Sequence, residues 1–266
     1  MEKIKPVGID GAKFMKLHLQ TIGDKKNPPI IFLHGLFGQG DDFLSFANLL
    51  SDRFYLILVD LPGHGQSEVY KGKSFTKLCE IVLESLPQTS ERLILVGYSL
   101  GGRIALHLSL QFPQFFEKAV IISANPGLES GTEDRLREDL ALLDNISSVE
   151  DFFREWYSKP LFGNLTAHKD FSLLLQKRKK SNLQKIKECL GAFSVGSQPP
   201  LWDKFQKDSL PIFYLCGQLD EKYKRIGQRL AQNPSINLIE FENAGHYLYF
   251  EYPIIFVRHL DSILKT

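Results

Sequence analysis

Gly97-Tyr98-Ser99-Leu100-Gly101 has the form G-x-S-x-G, and its surroundings give that form a mechanical meaning. Arg92-Leu93-Ile94-Leu95-Val96 precedes it, an apolar, β-branched-rich run with the length of a buried strand. Gly102-Arg103-Ile104-Ala105-Leu106-His107-Leu108 follows and reads as a helix. A serine on a sharp strand-to-helix turn is a nucleophile elbow. Small residues on both sides let the backbone turn without a Cβ clash. The hydroxyl is thereby lifted off the sheet, and backbone N–H groups at the helix start face any developing negative charge.

Working outward, strand and helix signals alternate. Phe14–Leu19 alternates like an early strand, and Pro29–Leu33 is a buried strand ending at His34-Gly35. Asp41–Leu50 is expected to be helical, with Asp41 or Asp42 as its N-cap. Tyr55–Asp60 is a strand closed by Leu61-Pro62-Gly63-His64-Gly65, Phe75–Leu86 is a helix, and Lys118–Ser123 is a strand after the elbow unit. This alternation predicts an α/β fold with a mostly parallel sheet covered by helices on both faces. Between Pro126 and Asp208 no strand signal occurs. Amphipathic stretches appear instead at Glu133–Leu143, Val149–Tyr157, Asp170–Lys180 and Leu183–Phe193. The α/β pattern resumes with strands at Pro211–Cys216 and Ile236–Glu242, and with helices at Tyr223–Gln232 and Tyr252–Leu264. The expected organisation is a core of residues 1–125 and 209–266, with residues 126–208 inserted as a helical cap.

The chain has 266 residues, 43% of them hydrophobic, which suffices for a sizeable core, and a formal net charge of +1. Nothing in that balance calls for a nucleic-acid partner. No apolar run reaches the ~18 residues of a membrane helix, and the N-terminus shows no apolar signal core. Cys79, Cys189 and Cys216 are far apart and odd in number, which gives neither a disulfide framework nor a zinc spacing and fits a reducing cytoplasm. The run Lys177-Arg178-Lys179-Lys180 is either a solvated helix face or a local anion site.

A serine hydroxyl needs a histidine to take its proton and a carboxylate to orient that histidine. Asp220 follows the strand Pro211–Cys216 through Gly217-Gln218-Leu219, and His246 follows Ile236–Glu242 through Asn243-Ala244-Gly245. Both therefore fall at the strand edge where open α/β sheets gather ligands. The candidate catalytic residues are Ser99, Asp220 and His246. His34 and His64 lie in glycine-rich loops and are expected to organise them, while His107 lies on the elbow helix in the core or at the surface. An oxyanion hole needs two backbone N–H groups. Leu100 supplies one, and Leu36 or Phe37, in the loop after His34-Gly35, supplies the other.

His34-Gly35, the stretch Asp60-Leu61-Pro62-Gly63-His64-Gly65-Gln66-Ser67, the elbow, and Asp220 with Ala244-Gly245-His246 together resemble the α/β-hydrolase superfamily over essentially the whole chain. That family orders its triad Ser, Asp or Glu, His, as here. Gly97–Arg103, Asn125-Pro126-Gly127-Leu128 with Glu133–Arg137, Glu155–Phe162, and Phe213–Gly217 ahead of Asp220-Glu221-Lys222-Tyr223 resemble a narrower group. These are the 2-succinyl-6-hydroxy-2,4-cyclohexadiene-1-carboxylate synthases of menaquinone and phylloquinone biosynthesis.

The resemblance implies a lyase that eliminates pyruvate from an anionic, enolpyruvyl-bearing cyclohexene carboxylate without a cofactor or metal. Arginine is suited to bidentate carboxylate recognition. By resemblance Arg103, one of Arg135 and Arg137, and Arg178 hold the substrate carboxylates. Spacing from Pro126 favours Arg137, and the local Arg-x-Arg-x-Asp favours Arg135, which is preferred. Trp156 and Tyr157 are candidates for the pocket wall or for packing within the cap. Tyr98, beside the nucleophile, is a candidate hydrogen-bond donor or a packing residue. The alternative enzyme is a carboxylesterase- or thioesterase-type serine hydrolase on the same triad. A non-catalytic receptor of this fold is disfavoured because all three triad positions are filled. The oligomeric state, monomer or homodimer, stays open.

Overall fold

The computed structural model describes residues 15–89, 91–205 and 210–266. Seven strands form one sheet in the order β1-β3-β2-β4-β5-β6-β7. They are β1 (Leu19–Ile22), β2 (Pro29–Leu33), β3 (Tyr55–Val59), β4 (Leu93–Tyr98), β5 (Phe116–Ile122), β6 (Ile212–Gly217) and β7 (Ile236–Phe241). All neighbouring pairs are parallel except β1 with β3, which run antiparallel in the register Leu19↔Val59. Every residue of β2, β3 and β4 is buried, as expected where helices cover both faces of a parallel sheet. The uninterrupted apolar runs in the sequence have this cause.

Short helices and loops connect the strands. The segment after β2 holds a 3₁₀ turn at Gly40–Phe43 and a single turn α1 (Leu44–Ala47); α2 (Phe75–Ser85) follows β3, and α3 (Leu100–Gln111) follows β4. Between β5 and β6 the described residues contain helix and no strand: α4 (Thr132–Ala141), α5 (Val149–Tyr157), α6 (Phe171–Arg178) and α7 (Leu183–Phe193), with short 3₁₀ turns. Side-chain caps start several of these helices. Ser148 accepts from Asp151 N at 3.2 Å at the head of α5, and Asn182 accepts from Lys185 N at 3.0 Å at the head of α7. The chain closes with α8 (Glu221–Leu230), α9 (Leu248–Glu251) and α10 (Pro253–Lys265). No helix of the described residues is long and apolar enough to cross a membrane. All three cysteines are free and buried.

Two local expectations are corrected. The early strand runs Leu19–Ile22 rather than Phe14–Leu19, and Phe14 lies outside the described residues. Pairing with β3, rather than the alternation itself, sets where this strand begins. The expected helix Asp41–Leu50 is only a 3₁₀ turn and one α-turn, and neither Asp41 nor Asp42 is its N-cap. Asp42 instead sits inside the first turn with its carboxylate turned inward to Arg178. The boundary expected at 208/209 also lies outside the described residues.

Candidate active site

β2 to β7 run parallel, so the loops after them open at one edge. The elbow stands at the middle of that edge. Ser99 has φ 51° and ψ −108°, a left-handed conformation that L-residues avoid and that costs about 1–3 kcal/mol. The turn is held by Ser99 N donating to Ile122 O at 2.9 Å and Gly101 N donating to His34 O at 3.0 Å. Only glycine fits next to it. A Cβ on Gly101 would lie 2.1 Å from Leu33 O, and one on Gly97 would lie 2.5 Å from Gly101 O.

The late loops bring the partners to this serine. Ser99 Oγ is 3.1 Å from His246 Nε2, and His246 Nδ1 is 2.6 Å from Asp220 Oδ2. Asp220 is fully buried, and its other oxygen accepts from Tyr223 N at 3.3 Å at the start of α8. It is therefore a turn former and the partner of His246 at once. The imidazole is walled by Tyr98, Phe162 and Tyr223, at centroid separations of 5.2, 5.5 and 4.6 Å. His246 N donates to Leu161 O at 2.9 Å, so the helical segment also holds this loop.

Hydrogen bonding distinguishes the two candidates in the loop after His34-Gly35. Phe37 N donates to His64 Nε2 at 3.1 Å and is taken. The N–H groups of Leu36 and Leu100 make no hydrogen bond among the described residues, and both residues line the cavity beside Ser99. The loop histidines act as braces: His34 Nε2 accepts from Leu61 N at 3.0 Å. His107 is buried against Phe75 at 4.9 Å, away from the serine.

The cavity above Ser99 has a volume of about 360 Å³ and is walled by both the strand-edge loops and the helical segment. Arg103 lines it, buried, with its guanidinium donating to Gln198 Oε1 at 3.1 Å and to Phe193 O. Burial pulls its pKa down to about 10, which leaves it charged at neutral pH. Arg135 lines the cavity and its Nε donates to Asp139 Oδ1 at 2.9 Å. Arg137 does not line it. This side chain is 74% exposed and pairs with Asp134 on the outer face of α4, so of the two alternatives only Arg135 faces the cavity. Helical periodicity places residues 135 and 137 on different faces, a distinction that residue spacing alone does not make.

Arg178 lines the cavity but is not a free cation. Its guanidinium donates to Asp42 at 3.1 and 2.7 Å, to Tyr157 OH at 2.8 Å and to Tyr247 OH at 2.8 Å. Burial opposes both charges, and the pair overrides it: Asp42 is held below the usual carboxylate range and Arg178 well above its own. The basic run divides accordingly, with Lys179 reaching out to Glu150 at 2.7 Å. Trp156 lines the cavity edge-on to Phe37 at 5.1 Å. Tyr98 also lines it, stacked on Tyr247 at 5.1 Å and 5°, and burial keeps its hydroxyl protonated. Sequence reasoning missed the role of Asp42 and the presence of Lys159 and Lys222 in the wall. Both lysines stand inside stretches quoted above for their resemblance, and their positions beside Trp156 and Asp220 were the available signal.

The sequence profile of the α/β-hydrolase fold family matches residues 28–253. A putative 2-succinyl-6-hydroxy-2,4-cyclohexadiene-1-carboxylate synthase of Haemophilus influenzae is 34% identical over 89% of this chain and 97% of that protein. The synthase of that name from Citrobacter koseri is 31% identical over 94% of this chain and 100% of that protein. The chloroplastic protein PHYLLO of Arabidopsis thaliana is 29% identical over 97% of this chain, which spans 16% of PHYLLO's length. Among solved structures, MenH from S. aureus superposes with a TM-score of 0.82 at 23% identity, covering 93% of this chain and 98% of that one. An enol-lactonase from Burkholderia xenovorans LB400 does so at 0.80 and 17% identity, covering 94% and 96%. At these identities the structures speak for the fold.

Proposed function

The chain belongs to the α/β-hydrolase fold family and, within it, to the 2-succinyl-6-hydroxy-2,4-cyclohexadiene-1-carboxylate synthases, enzymes that act as lyases, and from that premise we propose that it eliminates pyruvate from 2-succinyl-5-enolpyruvyl-6-hydroxy-3-cyclohexene-1-carboxylate. The observation that carries the proposal is the Ser99–His246–Asp220 array, which opens with two free N–H groups into a cavity lined by cations.

In the proposed reaction Ser99 Oγ, its proton drawn by His246 Nε2, takes the proton next to the succinyl ketone. Asp220 holds the imidazole in the tautomer that can accept it. The enolate oxygen that forms is met by the N–H groups of Leu36 and Leu100. The electron pair then moves through the ring double bond and breaks the carbon–oxygen bond to the enolpyruvyl group. Pyruvate leaves as its enolate and takes up the proton that His246 carries. No oxidant or reductant is consumed, so the step needs no redox cofactor, and no acyl-enzyme forms. A cytoplasmic setting belongs to the same reading and is supported by the three free, buried cysteines.

The test is a coupled assay in which the upstream synthase generates the substrate in situ and pyruvate release is followed. Wild type should release pyruvate much faster than spontaneous breakdown. Arg103→Ala should lower kcat/KM by roughly tenfold or more, and Ser99→Ala by about 10²–10⁴. No acceleration by wild type, with turnover of p-nitrophenyl esters and labelling of Ser99 by a fluorophosphonate, would make the protein a serine hydrolase instead.

A further inference from the structure

The proposed substrate carries three carboxylates, on the ring, on the succinyl arm and on the enolpyruvyl group. Two of the arginines in the cavity wall already have carboxylate partners. Arg178 is held by Asp42, and Arg135 by Asp139. Of the remaining wall cations, Arg103 donates only to a neutral amide and a backbone carbonyl. Lys159 and Lys222 line the same cavity, and neither forms an ion pair or hydrogen bond among the described residues. Each instead lies over an aromatic ring of the wall, with Lys159 Nζ 4.1 Å from the centre of Trp156 and Lys222 Nζ 5.3 Å from that of Tyr223.

From this arrangement we infer that Lys159 and Lys222 are specificity-determining residues which, with Arg103, meet carboxylates of the substrate. The inference rests on the lyase reading above. Its physical basis is a cluster of like charges with too few counterions. Arg135 acts as a repelling neighbour on Arg103, on Lys159 and on Lys222, which places the four cations together. Partial loss of water at the cavity wall and the neighbouring cations leave both lysines below their ordinary pKa, although Glu155 and Asp139 moderate Lys159, and Asp220 and Asp139 moderate Lys222. A polyanion entering the cavity relieves that repulsion, which a neutral ester does not. Lys222 is exposed and Lys159 half-buried, so both stand at the rim, where a positive field draws an anion inward.

Lys159→Met, Lys222→Met, the double variant and the two Lys→Arg variants test this in the full-length protein. Pyruvate release gives kcat and KM. Calorimetric titration with tricarballylate, an unreactive tricarboxylate, and with butyrate, a monocarboxylate, gives affinity without turnover. Each single Met variant should raise KM about tenfold and the double variant roughly 30-fold or more, with kcat within about twofold. Tricarballylate affinity should fall in step, butyrate binding should scarcely change, and the arginine variants should recover to within about threefold of wild type. KM and tricarballylate affinity within about twofold of wild type in the double variant would overturn the inference, as would a loss confined to kcat or a KM rise that the titration does not share. The two readings fail separately. A wild type that releases pyruvate while the lysines prove indifferent removes only the inference. A wild type that binds tricarballylate through the lysines but releases no pyruvate removes the lyase reading and leaves a tricarboxylate site.

Discussion

Gly245 N donates to both carboxylate oxygens of Glu251 at 3.1 Å, so this side chain holds the backbone immediately before His246. Burial pushes the Glu251 carboxyl up to about 7, against the pull of the donors at Gly245 and Tyr247, while Asp220 adds to the rise. An acid whose native pKa is raised binds more protons folded than unfolded between about pH 4.5 and 7. Its favourable contribution is complete below that window and is lost as pH rises through it. Wild type should therefore lose about 1–2 kcal/mol of stability between pH 5 and 8 from this group, a figure discounted for its partial exposure. Glu251→Gln keeps an acceptor for Gly245 and should flatten that slope. Urea midpoints measured across the range check it, and parallel slopes in the two proteins would contradict it. Glu251 was invisible in the sequence because its importance comes from a bond to the backbone six positions back, which no residue-type pattern announces.

Two loops at the strand edge are cross-braced by imidazoles. His64 Nε2 accepts from Phe37 N, and His34 Nε2 accepts from Leu61 N, so each ring must be the neutral tautomer protonated at Nδ1. Those Nδ1 hydrogens go to Pro62 O at 3.0 Å and Gly35 O at 2.8 Å, and burial keeps both rings neutral. Phe37 sits at φ 67°, a conformation the brace helps to hold. His64→Ala leaves the Phe37 N–H buried and unpaired. It should cost about 1–3 kcal/mol of stability and, by releasing the loop that carries the Leu36 N–H, lower kcat about 10- to 100-fold. An unchanged kcat would show that the loop needs no such support. At this scale the sequence was readable where a helix has both a cap and a continuous apolar stripe. The helices Val149–Tyr157 and Leu183–Phe193 have the bounds that their sequence predicts. It was unreadable at Gly40–Ala47, where Asp42 looks like a cap and is spent on a distant arginine. The strand-edge positions of Ser99, Asp220 and His246 are legible because each follows an apolar run within a few residues. The wall residues Lys159 and Lys222 were not, because their common destination depends on how the inserted helices lie over the sheet.

For the molecule as a whole, the buried cluster of Arg178, Asp42, Tyr157 and Tyr247 joins the helical segment to the sheet. It links α5 and α6 to the loop after β2 and to the residue following His246. Asp42→Ala strands a buried guanidinium and should cost about 3–5 kcal/mol. Arg178→Met combined with Asp42→Leu should recover most of that loss, because the pair is then replaced by apolar contacts rather than broken. Denaturant unfolding of the single and double variants measures the difference, and an additive double variant would mean that the two charges do not act as a pair. Such a link across 136 positions is absent from any local reading of the chain. The elbow has a different consequence for the molecule. Its serine occupies a backbone geometry that glycine would take without strain, so the fittest protein at position 99 is not the most stable one. On the proposed function, turnover is what would hold a serine there against that gradient. In a lineage that obtains its quinone from outside, this is a position where drift would run downhill, toward a sturdier and silent descendant.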